Sequence, residues 1–281
     1  MVYQFALIGY PIKHSLSPWI HQSFLNKANL EGMYSIYEIT PDDSFSRKLK
    51  RLMDDQVDGF NVTVPYKEKI ISFLDDIDED AAKIGAVNTV VNRNGKWIGY
   101  NTDGAGYLRS LESKFPDFHL DKSKRILLIG SGGATRGIYY ALVQAGFLHI
   151  DITNRTTEKA AEIAKLKGNF TTTAVLSLEQ AEEILQEYDV IIQTTSVGMK
   201  PNHEKVIFRL NQLKSPSIVS DIIYQPLETK LLKQARDAGA GLHFGHTMLL
   251  YQAQYAFEIW TGRKVPIGNM DEHLQRHLEG R

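Results

Sequence analysis

The sequence predicts an α/β fold in two domains, the second built on a doubly wound parallel sheet, and three observations carry that reading. Apolar strand-like runs alternate with helical patterns from the start of the chain. From Arg125 onward those runs become almost continuously apolar, as strands buried on both faces must be. One of them, RILLIG, leads straight into a glycine loop that opens a helix. A chain of 281 residues is long enough for one or two cores of this kind.

Each element follows from its pattern. Before residue 100 the strand-like runs are YQFALIG, MYSIYEIT and DGFNVTV, and SPWIHQSFLNKANL and DSFSRKLKRLM carry apolar residues at helical spacing. In AVNTVVNRNGKWIGYNTDG, Asn94-Gly95 between two apolar runs marks a two-residue hairpin turn. The polar stretch from Lys114 to Lys124, with Pro116, reads as the link into the second domain. RILLIG, HIDITN, DVIIQTT and SIVSDIIY then supply the strands of a Rossmann sheet. The chain ends in helix, and Leu249, Leu250, Ala253, Phe257 and Trp260 require a surface to cover. We therefore assign residues 1–105 and 247–281 to a first α/β domain, the helical tail returning to it, and residues 106–246 to the Rossmann domain.

Composition narrows the function. Lys and Arg total 32 against 33 Asp and Glu, so no global field points to nucleic acid or a membrane surface. There is no cysteine, which removes disulfides, thiolate metal sites and cysteine nucleophiles, and no metal site is expected. MVYQFALIGYPIKHS lacks a basic region followed by a cleavage site, and no apolar run approaches a membrane span. The expectation is a cytoplasmic protein, monomer or homodimer, acting on a small molecule.

The glycine loop GSGGATRG follows a strand and opens a helix, the setting of a dinucleotide pyrophosphate. Gly130 permits the tight turn, while Gly132 and Gly133 let backbone N–H groups approach an anion at the positive end of the helix. A tight turn without nucleotide would need similar glycines but not the surrounding strand-loop-helix-strand order. At the end of the next strand an NAD site usually shows an acid; here stand Asn154, Arg155 and Thr156. Arg155 can form charge-assisted bonds with a 2′-phosphate, flanked by Asn154 and Thr156, and Lys159 lies one turn further on. The cofactor read from these residues is NADP, which implies hydride transfer and a substrate whose alcohol or ketone exchanges a proton.

Three polar clusters in the first domain sit at strand ends: KHSLSP, NVTVPYK and YNTDG. Ser15 and Ser17 could bind a small carboxylate, although Ser17-Pro18 reads equally well as N-cap and first turn of a helix. Pro65 ends its strand so that Lys67 can face a cleft, although a lysine is usually a surface cation. Asp103 suits an N-cap as readily as a catalytic role.

Together SxS, NVTxPxK, GAVNT, NTDG, GxGGxxRG and NRT, with QTTSVGM, DIIYQPLET and GHTMLLYQAQYAFEIWTG, resemble the shikimate dehydrogenase family along the whole chain. That resemblance implies a substrate domain and an NADP-binding Rossmann domain, and the reversible NADPH-dependent reduction of 3-dehydroshikimate to shikimate on the route to chorismate and the aromatic amino acids. It implies Ser15 and Ser17 at the substrate carboxylate with Tyr224 nearby, and Thr63, Lys67, Asn88, Asp103 and Gln252 at the ring hydroxyls. Lys67 and Asp103 become the catalytic pair, Lys67 as acid/base. On the cofactor side it implies Gly130, Ser131, Gly132, Gly133 and Ala134 for the pyrophosphate, and Asn154, Arg155, Thr156, Thr157, Glu158 and Lys159 for the adenosine 2′-phosphate. Ile222 and Gly245 would flank the nicotinamide, with Glu79 as a further cofactor contact. A quinate/shikimate dehydrogenase that accepts NAD is the alternative; Arg155 speaks against it. A non-enzymatic cofactor sensor would have no use for Lys67 and Asp103.

Overall fold

The computed structural model describes residues 2–210 and 212–280. Its chain divides into two compact units, Met1–Asp103 with Gln252–Ile267, and Gly104–Tyr251 with Gly268–Arg281.

The first unit carries β1 (Tyr3–Gly9), α1 (Ser17–Lys27), β2 (Gly32–Glu38), α2 (Phe45–Asp54), β3 (Gly59–Val62), β4 (Asp76–Ile77), α3 (Glu79–Ile84), β5 (Thr89–Arg93) and β6 (Lys96–Tyr100). Its mixed sheet has the order β2-β1-β3-β5-β6-β4. β1 runs parallel to β2 and β3, β5 runs antiparallel to β3 and β6, and β5 turns into β6 through Asn94-Gly95, both in the left-handed region as such a turn demands. Phe45, Leu49 and Leu52 recur on one stripe of α2 and pack on Ala6, Ile8, Phe60 and Val90.

The remaining elements are α4 (Asp103–Lys114), β7 (Arg125–Ile129), α5 (Gly133–Gln144), β8 (His149–Thr153), α6 (Thr157–Ala164), β9 (Val175–Leu176), α7 (Leu178–Glu183), β10 (Val190–Gln193), β11 (Ile218–Asp221), α8 (Lys230–Asp237), β12 (Gly241–Phe244), α9 (Gly245–Thr261) and α10 (Met270–Leu278). The second sheet is parallel throughout, ordered β12-β11-β10-β7-β8-β9. That is the doubly wound order, reversing between β7 and β10, where such sheets bind ligands at their carboxyl ends. Buried Ile126, Leu128, Ile150, Ile152, Val190 and Ile192 on one face, and Leu127, Ile129, Ile191 and Val219 on the other, explain the near-continuous apolar runs.

Two boundaries differ from the sequence reading. The expected linker between Lys114 and Lys124 contains a 3-10 helix, Pro116–Leu120, whose Phe118 packs on Phe147 at 4.8 Å inside the second core. The tail divides as well. The later part of α9 covers the first sheet, with Trp260 stacked on Phe5 at 4.4 Å and donating to the Val90 carbonyl, and Phe257 against Phe24. Residues 247–251 and 268–281, expected in the first domain, group instead with the second unit. Met248 belongs to the second core, Thr247 bonds His243, and His246 Nε2 lies 3.0 Å from Asp271 at the start of α10.

Candidate active site

In the first unit the sheet register gathers the polar clusters at one edge. Ile8 pairs with Val62, Asn61 with Thr89, and Thr89 with Tyr100, so the loops after β1, β3 and β6 and the residues before β5 leave from the same side. Backbone bonds tie them closely: Val62 N–H donates to the Asn88 carbonyl, Val87 N–H to that of Lys67, and Asn88 N–H to that of Tyr100.

At this edge Lys67 Nζ donates to Asp103 Oδ2 at 2.5 Å, with side chains only 15% and 7% exposed. A surface cation would be solvated, so that alternative reading of Lys67 falls. Asn88 Nδ2 donates to the other Asp103 oxygen at 2.8 Å, to Thr102 Oγ1 at 3.0 Å and, at 3.5 Å, to Gln252 Oε1 from α9. Asp103 opens α4, but its carboxylate serves Lys67 and Asn88, while Asn101 Oδ1 accepts the Asp103 amide. The capping duty that the sequence left open for Asp103 thus falls to its neighbour.

The serines also resolve. α1 begins at Ser17 with Leu16 as N-cap and no side-chain capping bond, so Ser17 is not the N-cap that Ser17-Pro18 suggested. Ser15 Oγ accepts the Ser17 amide at 3.2 Å and donates to Ser17 Oγ at 3.1 Å, setting two hydroxyls side by side at a helix start. Thr63 follows β3 with its amide donating to the Ile8 carbonyl, and Glu79 is an exposed first residue of α3.

In the second unit, Gly130 takes φ +127°, a conformation other residues rarely adopt, and an added Cβ would stand 2.5 Å from Thr194 Oγ1. Thr194, at the end of β10, donates to the Ile129 carbonyl and bonds Thr135, which accepts the Gly132 amide at 3.1 Å. This threonine pair shapes the loop and was not singled out from the sequence; its signal was a hydroxyl at the end of the strand across the switch point. Ser131, Gly132, Gly133 and Ala134 follow at the start of the twelve-residue α5, where free amides and the helix dipole favour an anion, and a Cβ at Gly132 would meet nothing. Beside it, Asn154 Nδ2 donates to the Thr156 carbonyl at 2.9 Å, holding the turn from which exposed Arg155 projects. Thr156 is the N-cap of α6 without a side-chain capping bond, Thr157 is half-buried, and Glu158 and Lys159 are exposed.

Ile222 and Gly245 are brought together: a Cβ on Gly245 would lie 2.3 Å from the Ile222 carbonyl oxygen, so only glycine lets α9 start against this backbone. Asp221, fully buried, fixes the same turn by accepting from Ile223 N–H and Thr229 Oγ1, and burial pushes its carboxyl up to about 7. Burial also raises the phenol of Tyr224. His246 is buried on Asp271 and His14 is exposed, in keeping with packing and surface roles.

A dinucleotide-type Rossmann unit paired with an α/β unit that holds a buried lysine–carboxylate couple defines a two-domain protein of the dehydrogenase type. The chain belongs to the shikimate dehydrogenase family. Profiles of the shikimate dehydrogenase substrate binding domain, of shikimate / quinate 5-dehydrogenase and of the shikimate 5′-dehydrogenase C-terminal domain match residues 7–90, 111–223 and 245–275. It is 50% identical to a shikimate dehydrogenase (NADP(+)) of Oceanobacillus iheyensis over 100% of both chains. The crystal structure of shikimate dehydrogenase from Aquifex aeolicus is 41% identical with a TM-score of 0.86, covering 97% of each chain. That of shikimate 5-dehydrogenase from Thermus thermophilus in complex with NADP(H) and shikimate is 31% identical with a TM-score of 0.86, covering 98% of this chain and 99% of the other.

Proposed function

We propose that this chain interconverts 3-dehydroshikimate and shikimate with NADP(H), and the observation that carries the reading is the buried Lys67–Asp103 pair, its carboxylate held from the other side by Asn88. Reduction of the ketone requires hydride at carbon and a proton at oxygen; NADPH, when bound, supplies the hydride. Lys67 Nζ gives the proton to the developing alkoxide and takes it back in the oxidising direction. Asp103 holds the ammonium in place, and Asn88 fixes the carboxylate, so the donor needs no reorganisation as charge develops. Thr63, Asn88, Asp103 and Gln252 orient the ring hydroxyls, and the Ser15 and Ser17 hydroxyls take the carboxylate.

The second unit suits the cofactor on its own geometry. The loop from Gly130 to Ala134 takes the pyrophosphate, with the amides of Ser131, Gly133 and Ala134 at the start of α5 as its donors. Asn154 to Lys159 surround a 2′-phosphate with Arg155 as the cation, while Ile222 and Gly245 flank the nicotinamide. An exposed arginine where NAD sites place a carboxylate favours NADP. Substrate and cofactor are small molecules; among the described residues no helix is long and apolar enough to cross a membrane. A cytoplasmic monomer or homodimer is the setting proposed for it.

The test is the formation of NADPH from NADP with shikimate at alkaline pH, run beside quinate and NAD. Rapid turnover with shikimate and NADP is expected. Absence of shikimate-dependent NADPH would overturn the assignment, and equal rates with quinate and NAD would move it to a quinate/shikimate dehydrogenase of broader use.

A further inference from the structure

Behind the proposed substrate residues lies a buried polar chain that the assigned roles leave unused. Tyr34, on β2 and 8% exposed, donates its hydroxyl to Asn61 Oδ1 at 2.8 Å. Asn61 is tethered on β3, and its Nδ2 donates to Thr89 Oγ1 at 3.1 Å and to the Asn88 carbonyl at 3.2 Å. Thr89 Oγ1 donates onward to Asn88 Oδ1 at 3.0 Å, and the Thr102 amide donates to the same oxygen at 2.9 Å. With its oxygen so engaged, Asn88 must turn Nδ2 toward Asp103, which holds Lys67. Burial raises the Tyr34 phenol well above its ordinary value, with the Ser17 hydroxyl opposing that rise. His21 stacks on the Tyr34 ring at 4.5 Å and 6°, and burial keeps it neutral, so the phenol is clamped in one plane beside an uncharged neighbour.

We infer that Tyr34 is a positioning residue whose hydroxyl, through Asn61 and Thr89, orients the Asn88–Asp103–Lys67 group of the substrate site. The inference rests on the function proposed above. Each link has one donor and one acceptor in sequence, so the bonds polarise one another and the chain has a single direction. Loss of the Tyr34 hydroxyl leaves Asn61 Oδ1 buried without its donor, and the alternative amide orientation would set that oxygen against the Asn88 carbonyl. Neither serves the geometry of Asn88, so both substrate binding and turnover depend on a residue that touches no substrate.

The experiment is a double-mutant cycle on the full chain with Tyr34→Phe, which keeps the ring on His21, and Thr89→Val, which keeps the shape and removes the relay. We expect Tyr34→Phe to lower kcat/KM for shikimate about five- to twentyfold, in both KM and kcat, with KM for NADP unchanged. Thr89→Val should do the same, and the double variant should be no worse than the poorer single one, because both cut the same chain. Unfolding midpoints verify that each variant is folded. Tyr34→Phe kinetics within twofold of wild type, or effects that multiply, would overturn the inference while leaving the function intact. A wild-type chain without shikimate turnover would overturn the function and this inference with it.

Discussion

The two units prepare for their proposed ligands with different parts of the chain. In the first, side chains do the work: Lys67, Asn88, Asp103 and Gln252 converge from a loop after β3, the approach to β5, the start of α4 and the body of α9. In the second, the backbone does most of it, with Gly130 to Gly133 leading β7 into α5 and Gly245 seated against Ile222. The difference follows from what is to be recognised. A pyrophosphate is met by amides and a helix dipole, which any sequence with the right glycines can offer. A ring with several hydroxyls and one reacting carbon needs donors and acceptors placed individually, each desolvated and therefore each partnered.

The largest test of the contrast falls on the side-chain half. Lys67→Ala should lower kcat by about 10² to 10⁴ with a smaller effect on KM, since the proton donor is lost and most contacts remain. Steady-state kinetics with shikimate decide it, and near-wild-type turnover would remove Lys67 from the chemistry. In Asp103→Asn, turnover should drop too, with some loss of shikimate affinity; a change in KM alone would make Asp103 a binding residue only.

The one place where the second unit relies on side chains comes next. Arg155→Asp with Thr156→Ala should lower the NADP/NAD ratio of kcat/KM by at least about a hundredfold, because a cation is lost and a carboxylate then repels the phosphate. KM for shikimate should hardly move. An unchanged ratio would make Asn154-Arg155-Thr156 an ordinary strand end.

A backbone-built site should also be sensitive where no functional group is removed. Gly130→Ala places a methyl 2.5 Å from Thr194 Oγ1 at φ +127°. We expect KM for NADP to rise about tenfold and stability to fall by about 1–3 kcal/mol, with KM for shikimate unaffected. Unaltered NADP binding would show that the loop tolerates a second shape.

The smallest effect concerns pH. Burial pulls His21 in the first unit and His243 in the second down to about 3, His243 among Ser110, Ser220 and Thr247. Below about 6.5 an unfolded chain protonates both and the folded chain neither, so stability falls as pH is lowered. Asp221, raised to about 7, acts oppositely: its contribution is present below about 4 and lost as pH rises toward 7. The two histidines outweigh the buried carboxyl, so stability rises with pH between about 4 and about 6.5. Urea midpoints at two pH values in that range measure the slope, and His21→Phe should flatten it; the same slope in that variant would mean His21 is protonated inside the fold.

Much of this was legible in the sequence because it depends on neighbours along the chain. Hydrophobic period, the Asn94-Gly95 turn and the strand-glycine-helix order are local, and they marked the long strands, the helices other than α7 and α8, and the loop at Gly130. β4, β9 and β12 were not marked, being too short for a period to show or, in GLHF, too polar. The clusters at Ser15, Lys67 and Asp103 were visible as polar residues at strand ends, each with a bland reading that the residues alone left standing. What decided between the readings was partnership across the sheet: Lys67 meets Asp103, Asn101 takes the capping bond, and Leu16 rather than Ser17 caps α1. Tyr34 and Thr89 carried no signal of their own, since a tyrosine or threonine in a strand is ordinary, and Thr194 offered only a hydroxyl at a strand end. Their meaning comes from register, which sets Asn61 opposite Thr89 and Thr194 beside the glycine loop. A sequence fixes which groups a strand offers and to which face; only the folded sheet fixes which of them must satisfy one another once water is gone.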